Sequence, residues 1–291
     1  MLRIGLEIAD RIAAALPSRV AYALADLAGE TWHRLAPGRR RLVAANLARV
    51  CAATGRPTRG RAFTRLVRTA FRNHARYYME LLRMPHYRLE EIDTIVDIPE
   101  WEAFIAALQP GPGVLMTSHL GNFEPFGVFL GAHGIRTLAP IEEIKPPALF
   151  EFLSAHRGGG NVELVPLSRA GLALRKRLQE GGLVGFIADR VVGGAAAQPV
   201  TMFGHETSTP LGPSTLVVMH RASLVVGRCL RVGPDRFRID GEIVDVPDTG
   251  DRRADIASLA ERIAAIFERQ IGDNPEQWWG AFQPYWPDIT S

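Results

Sequence analysis

Cysteine is scarce: 291 residues contain two, Cys51 and Cys229, 178 positions apart. That excludes a disulfide scaffold and a cysteine-rich zinc module, and it fits two buried thiols in a reducing compartment. Long apolar runs are also missing. The longest stretch with a single charge, Phe104–Ile135, carries Glu124 and is broken by Pro110, Pro112, His119 and Pro125, so it reads as helix end, strand and helix and not as a membrane span. Charges interrupt the first dozen residues, which excludes the apolar centre of a signal peptide. There is no Gly-x-Ser-x-Gly elbow, no His-Glu-x-x-His, no Gly-x-Gly-x-x-Gly opening a helix and no P-loop. These absences remove the α/β-hydrolase, zincin, dinucleotide-binding and P-loop chemistries. No internal repeat or low-complexity segment is present. With 47% hydrophobic and 22% charged residues, the chain has enough apolar material for a sizeable core.

Acid is missing from one long segment. Between Glu30 and Glu80 there are twelve Arg and no Asp or Glu. Residues 1–88 hold 17 Arg, no Lys and five acids, a net charge of +12, whereas the remaining 203 residues carry −9. A basic end on an acidic body suggests a polyanionic partner. Aromatic residues seldom interleave with these arginines, which argues against nucleic acid. Ile4, Ile8, Ile12 and Leu16 recur every four residues as one apolar stripe, and Val20, Leu24, Leu27 and Trp32 anchor a second helix after Pro17-Ser18. Two such helices either lie in a lipid interface or pack on the protein body. With no span and no signal peptide, the expected location is peripheral, on the cytoplasmic face of a membrane.

Helices are predicted over 3–15, 18–35, 39–53 and 60–83, broken at Pro17, at Ala36-Pro37-Gly38 and at Thr54-Gly55-Arg56-Pro57. From residue 85 onward, short apolar runs alternate with amphipathic ones. Strands are predicted at Thr94–Ile98, Gly113–Ser118, Thr137–Pro140, Val162–Val165, Leu183–Ala188, Leu224–Arg231 and Arg236–Glu242, with helices between them. Strand–helix alternation implies a three-layer α/β sandwich with a mainly parallel central sheet. The chain divides into a basic amphipathic helical region, residues 1–84, and an α/β part, residues 85–291. No flexible linker separates them, so they are expected to form one folding unit.

The chemistry concentrates in Thr117-Ser118-His119-Leu120-Gly121-Asn122-Phe123-Glu124. A buried strand ends in a small polar pair, and His119 follows at its C-terminal end, where α/β sheets present catalytic groups. Gly121 permits a tight turn, and Asn122 is suited to capping the next helix. Glu124 in the first turn of that helix is placed to fold back onto His119, fixing its tautomer so that the ring acts as a general base. The alternative is a helix-capping glutamate beside an incidental histidine. Ser118, adjacent to His119 on an extended strand, points to the other side and reads as structural.

This segment resembles the His-x4-Asp/Glu motif of the lysophospholipid acyltransferase superfamily, in the branch of the lipid A late acyltransferases and phosphatidylinositol mannoside acyltransferases. Further blocks follow in the family's order: Arg39-Arg40-Arg41-x4-Asn46-Leu47, Ala75-Arg76-Tyr77-Tyr78-x-Glu80, Glu142-x2-Lys145-Pro146 with Arg157, Ala188-Asp189-Arg190, Val200-x2-Phe203-Gly204, Pro210-x-Gly212-Pro213, Pro275-x2-Trp278 and Gln283-Pro284-x-Trp286. The resemblance implies transfer of an acyl chain from acyl-CoA or acyl carrier protein to a hydroxyl of a glycolipid, with a phosphatidylinositol mannoside-like acceptor. A lipid A-type acceptor, or a non-catalytic lipid-binding relative, is the alternative. It implies His119 as base, Glu124 as its partner, no cofactor or metal, no covalent acyl-enzyme and an anionic membrane surface as partner. The turn at Gly121 and Asn122 is expected to supply backbone N–H groups to the oxyanion. Arg157 and Arg190 either grip a phosphate or sugar or are ordinary surface charge. Glu142 binds acceptor hydroxyls or pairs with an arginine, and Asp189 holds Arg190 or caps a turn. Residues Gly193–Ala197 form a lid or a passive loop.

Overall fold

Helices open the chain where the breakers leave room for them. The computed structural model, which describes residues 2–157, 162–192 and 194–290, has α1 at Leu2–Ala15, α2 at Ser18–Leu35, α3 at Pro37–Ala53 and α4 at Gly60–Arg83. Pro37 sits in the first turn of α3, where its missing N–H costs nothing. Helix α2 lays Ala21, Tyr22, Ala25, Gly29 and Glu30 inward against α4. The small residues set the approach. A Cβ on Gly29 would lie 2.7 Å from both the Arg72 Cα and the Phe71 carbonyl oxygen, so only hydrogen fits at the crossing.

The acid-free stretch is less free than its composition suggests. Arg68 and Arg72 grip Glu30 of α2, and Arg76 grips Asp26 at 2.6 Å. Arg39 donates to the Phe282 carbonyl, Arg40 to that of His33 and Arg56 to that of Gly272, while Arg49 pairs with Asp288. Seven of the twelve arginines thus hold the fold together. The other five, Arg34, Arg41, Arg59, Arg61 and Arg65, are exposed, as are Arg11 and Arg19.

Several stripe residues of α1 and α2 face outward, whereas Trp32 packs inward against Phe71 and Phe282. Ile8 and Ile12 are more than half exposed, as is Leu27, and Val20, Leu24 and Leu35 are exposed beside them. What holds α1 down is polar. Asp10 accepts hydrogen bonds from His86 at 3.0 Å and His156 at 2.9 Å. Arg83 caps the C-terminal end of α1 through the carbonyls of Ala13 and Leu16, at 2.6 and 2.7 Å. Among the described residues no helix is long and apolar enough to cross a membrane.

The body alternates short helices and strands: α5 (Ile92–Ile95), β1 (Val96–Asp97), α6 (Trp101–Leu108), β2 (Gly113–Thr117), α7 (Glu124–Ala132), β3 (Thr137–Ile141), α8 (Pro147–Arg157), β4 (Val162–Pro166), α9 (Ala170–Gln179) and β5 (Leu183–Ile187). Then follow β6 (Ala197–Met202), β7 (His205–Pro210), α10 (Leu211–His220), β8 (Ser223–Gly233), β9 (Arg236–Val244) and α11 (Arg252–Asp273). The main sheet runs β1-β9-β8-β2-β5-β3-β4, parallel except for the β8–β9 hairpin. This is the α/β sandwich with a mainly parallel sheet. The first expected strand shrinks to two residues, because Ile92–Ile95 close a helical turn before it.

The hairpin β6–β7 was not among the expected strands. Gln198, Pro199, Thr207 and Thr209 hide its alternation, yet Val200 and Met202 are buried in the core. Its two-residue turn, Phe203-Gly204, has φ of 53° and 74°, the double positive φ that matches hairpin twist. The buried ring of Phe203 anchors that turn in the core. The same core takes Leu42, Leu47, Val50, Val67 and Phe71 from α3 and α4, and Trp278, Phe282 and Trp286 from the segment after α11.

Gly29→Ala is expected to push α2 off α4 and lower stability by about 1–3 kcal/mol, the usual cost of overpacking. Urea unfolding measures it, and loss of hydrogen-exchange protection in α2 ahead of the sheet would localise it.

Candidate active site

Two adjoining parallel strands deliver the central pair. Strand β2 lies between β8 and β5, and Thr117 is in register with Ile187. The ladder extends one step further through the Ala188 N–H, which donates to the Thr117 carbonyl at 2.9 Å. Two residues beyond the paired positions come His119 on one strand and Asp189 on the other. Equal counts along parallel neighbours bring the side chains together, and His119 Nδ1 donates to Asp189 Oδ1. Asp189 is fully buried and the His119 side chain is 10% exposed. With the Nδ1 proton committed to a carboxylate, Nε2 is left as the basic nitrogen.

The carboxylate that holds His119 is therefore Asp189. Glu124, expected in that place, turns the other way: its carboxylate accepts from the Tyr77 hydroxyl at 3.1 Å and from Arg157 Nε at 2.9 Å. Arg157 Nη2 also donates to the Tyr77 hydroxyl at 2.7 Å, closing a triangle between α4, α7 and α8. The reason is local. Glu124 is the first residue of α7 and points back along that helix toward α4 and α8, not along the strand ends. Asp189 neither holds Arg190 nor merely caps a turn. Arg190 pairs with Glu142 at 2.7 Å instead, at a half-exposed position.

The turn itself is locked. Gly121 has φ of 68°, and a Cβ there would overlap the Cys229 carbonyl oxygen, so no other residue fits. Its N–H donates to the Gln277 carbonyl at 3.0 Å, and the Asn122 N–H donates to the Cys229 carbonyl at 2.8 Å. Both amides expected to receive an oxyanion are thus already committed to backbone carbonyls, which corrects that expectation. Asn122 lies one residue before the N-cap position, which is Phe123, yet its Oδ1 accepts from the first helical N–H, that of Glu124, at 3.0 Å, and its Nδ2 donates to Glu80 at 2.8 Å. Glu80, buried on α4, also takes the Tyr22 hydroxyl at 2.6 Å and both sides of the Arg231 guanidinium. Ser118 Oγ is buried with no hydrogen-bond partner, consistent with a packing role. Gly193 of the suggested lid lies outside the described residues; Gly194 has φ of 73° and Ala197 begins β6.

Sequence reasoning missed the aromatic wall. Trp279 stands edge-on to His119, with ring centroids 4.4 Å apart, and stacks on Tyr77. His74 packs among Trp32, Tyr78, Trp279 and Phe282. Burial, together with the nearby charges of Arg39 and His119, pushes it down to about 3, so it packs as a neutral ring. Trp278 donates its indole N–H to Asp189 Oδ2 at 3.3 Å. The motif Pro275-x2-Trp278 was visible in the sequence, but nothing there says what its indole touches.

Asp189 and Glu124 have opposite electrostatics. Burial works to raise Asp189, but the charge and hydrogen bonds of His119, with the indole of Trp278, outweigh it and hold Asp189 below 3.8. Glu124 is held above its ordinary value because burial outweighs Arg157 and Tyr77. Asp189 is therefore the better-stabilised anion, suited to supporting a positive charge on His119.

Residues 6–286 match the family model described as bacterial lipid A biosynthesis acyltransferase. That match spans most of the chain, and the protein belongs to this family of acyltransferases. Its curated relatives include the phosphatidylinositol mannoside acyltransferases of Mycolicibacterium smegmatis, 29% identical over 231 residues, and of Mycobacterium tuberculosis, 28% identical over 232 residues. Each alignment covers 76% of this chain, with 72% of the first relative and 70% of the second.

A lowered folded pKa means that Asp189 stabilises the fold above its unfolded value of 3.8, and that this contribution drains away as pH falls through the lower folded value. The stability difference between the wild type and Asp189→Asn is therefore expected to shrink as pH falls below about pH 4. Urea midpoints between about pH 2 and pH 5 measure it, and a difference independent of pH would contradict an ionised Asp189.

Proposed function

We propose that this acyltransferase moves a fatty acyl chain from a thioester, acyl-CoA or acyl carrier protein, to a hydroxyl of a phosphatidylinositol mannoside-like glycolipid. It works as a peripheral protein on the anionic cytoplasmic face of a membrane. The observation that carries the chemistry is the His119–Asp189 pair at the C-terminal ends of two parallel neighbours. His119 Nε2 takes the proton of the acceptor hydroxyl while its oxygen attacks the thioester carbonyl. The C–S bond breaks as the tetrahedral intermediate collapses, and the imidazolium returns the proton to the departing thiolate. Products are the ester and the free thiol, and no acyl-enzyme is needed. Asp189 supports the imidazolium through the transfer. The names of the curated relatives support the acceptor class, with a lipid A-type acceptor as the second possibility.

Arg157 is suited to an acidic headgroup of the acceptor. It is partly exposed, and its carboxylate partner Glu124 is held above its ordinary value. Glu142 and Arg190, paired on the surface, are placed as polar contacts for the sugar. The membrane reading is supported by the outward apolar residues of α1 and α2 and by the exposed arginines among them. Each basic side chain near an anionic leaflet contributes on the order of 1 kcal/mol.

His119→Ala is expected to abolish both transfer and thiol release, and Asp189→Asn to lower kcat by about 10²–10⁴-fold, as for other oriented imidazole bases. Thiol release from acyl-CoA, with and without phosphatidylinositol mannoside or lipid A precursor, reads this directly. A wild-type protein that releases no thiol with any acceptor would instead make the chain a lipid binder, and a His119→Ala protein of undiminished activity would rule out His119 as the base.

Vesicles rich in anionic lipid are expected to bind the protein in a salt-sensitive way. Leu24→Asp with Leu27→Asp should weaken that binding at least tenfold by losing buried apolar area. Arg41→Ala and Arg34→Ala should flatten the salt dependence, whereas Arg39 and Arg40 serve the fold. Binding unaffected by salt and by these changes would refute the membrane reading.

A further inference from the structure

The segment that follows α11 lies over the catalytic turn like a strap. The Trp279 and Gly280 amides both donate to the His119 carbonyl, at 2.9 and 3.4 Å, and Leu120 bridges Trp278 in antiparallel fashion. Gln277 holds the Gly121 amide through its carbonyl, and its side-chain amide brackets the Arg231 backbone at 3.0 and 3.1 Å. At the centre of this strap, the Trp278 indole reaches down to Asp189.

Asp189 has two oxygens and no solvent. Oδ1 accepts from His119, and Oδ2 accepts from Trp278 Nε1 at 3.3 Å. A buried carboxylate with one oxygen unpartnered is free to rotate and shed its bond to the imidazole, and the cost of an unsatisfied acceptor argues for a second donor. The indole cannot drift. Trp278 is 1% exposed and stands edge-on to Tyr285 and Trp286, with centroids 4.9 and 6.2 Å away. Gly280 frames the contact from the other side. A Cβ there would overlap the indole nitrogen and come within 3.1 Å of Asp189 Oδ2. The glycine is what lets donor and acceptor meet.

We infer that Trp278 is a positioning residue of this enzyme: its indole N–H fixes the plane of the Asp189 carboxylate, and through it the orientation and basicity of His119. The inference rests on the reading of His119 as the base. Aromatic packing alone would make Trp278 interchangeable with its neighbour Trp286, whose own indole nitrogen is buried without a hydrogen-bond partner. That neighbour supplies the control.

In the wild-type protein, the Trp278 indole resonance in a ¹⁵N-correlated spectrum is expected to titrate with the same midpoint as the His119 ring. This measurement needs neither substrate nor a variant. Trp278→Phe and Gly280→Ala are expected to shift or broaden the downfield His119 Nδ1–H signal, to move the acid limb of the pH–rate profile to lower pH, and to lower kcat about tenfold with KM little changed. Trp286→Phe, with a comparable loss of ring area, should leave the signal and the acid limb in place. An indole resonance that ignores the His119 titration overturns the inference, as does a Trp286→Phe protein that shifts the signal as far as Trp278→Phe. Failure of the acyl-transfer reading is seen separately, as a wild-type protein inactive on every acceptor.

Discussion

A carboxylate with no exposure to water stays charged only when something compensates for its lost hydration. For Asp189 that compensation is the imidazole of His119, and the requirement runs both ways: the ring has a defined tautomer because the carboxylate holds its Nδ1 proton. The rest of the molecule is arranged around keeping these two groups in register. Parallel pairing of β2 with β5 sets their height, and the locked turn at Gly121 sets where the chain leaves the strand. The buried Glu80–Arg231 pair ties α4 to β8 directly beneath that turn. Such a pair contributes little net stability, because desolvation offsets most of the attraction, but it penalises any arrangement that separates its members. Its value here is geometric.

The division of labour between the two acidic residues follows from what surrounds each. Asp189 faces the imidazole of His119 and the indole of Trp278, and this environment favours the anion. Glu124, itself buried, faces a permanent guanidinium and a phenol, and burial wins over both. It therefore organises Arg157, Tyr77 and the start of α7, three parts that border the site from different helices. A motif that reads in one dimension as base and partner is, in three dimensions, an imidazole held by another strand's carboxylate and a glutamate that serves as scaffold.

Most of the architecture was legible because it depends on local pattern. Pro17, Pro37 and Pro57 punctuate the first four helices, and short apolar runs mark the parallel strands. The family motif was also legible, and so was His119. Asp189 stood among the candidate residues, but with a different partner. Nothing local says that the strand ending in Ile187 lies beside the one ending in Thr117, since strand order in a parallel sheet is set by long crossovers. The hairpin β6–β7 was hidden because Pro199 and three polar residues mask its alternation. The outward turn of Ile8 and Ile12 was undetermined for a related reason. An amphipathic pattern names a face and leaves its partner open, and here the polar pins Asp10 and Arg83 decide the matter.

The interdependence of distant segments has a consequence for how the chain is made. Synthesis proceeds from the amino end, so α3 and α4 emerge long before the residues that complete their surroundings. The side-chain amide of Asn46 finds its carbonyl acceptor 235 residues later, and that of Asn73 finds its own 203 residues later. Until then the apolar faces of both helices have no permanent cover, and nascent intermediates with such surfaces associate wrongly or recruit chaperones. Closure over such sequence distances also slows folding. The newborn polypeptide therefore passes through a vulnerable interval, and its length is set by translation speed.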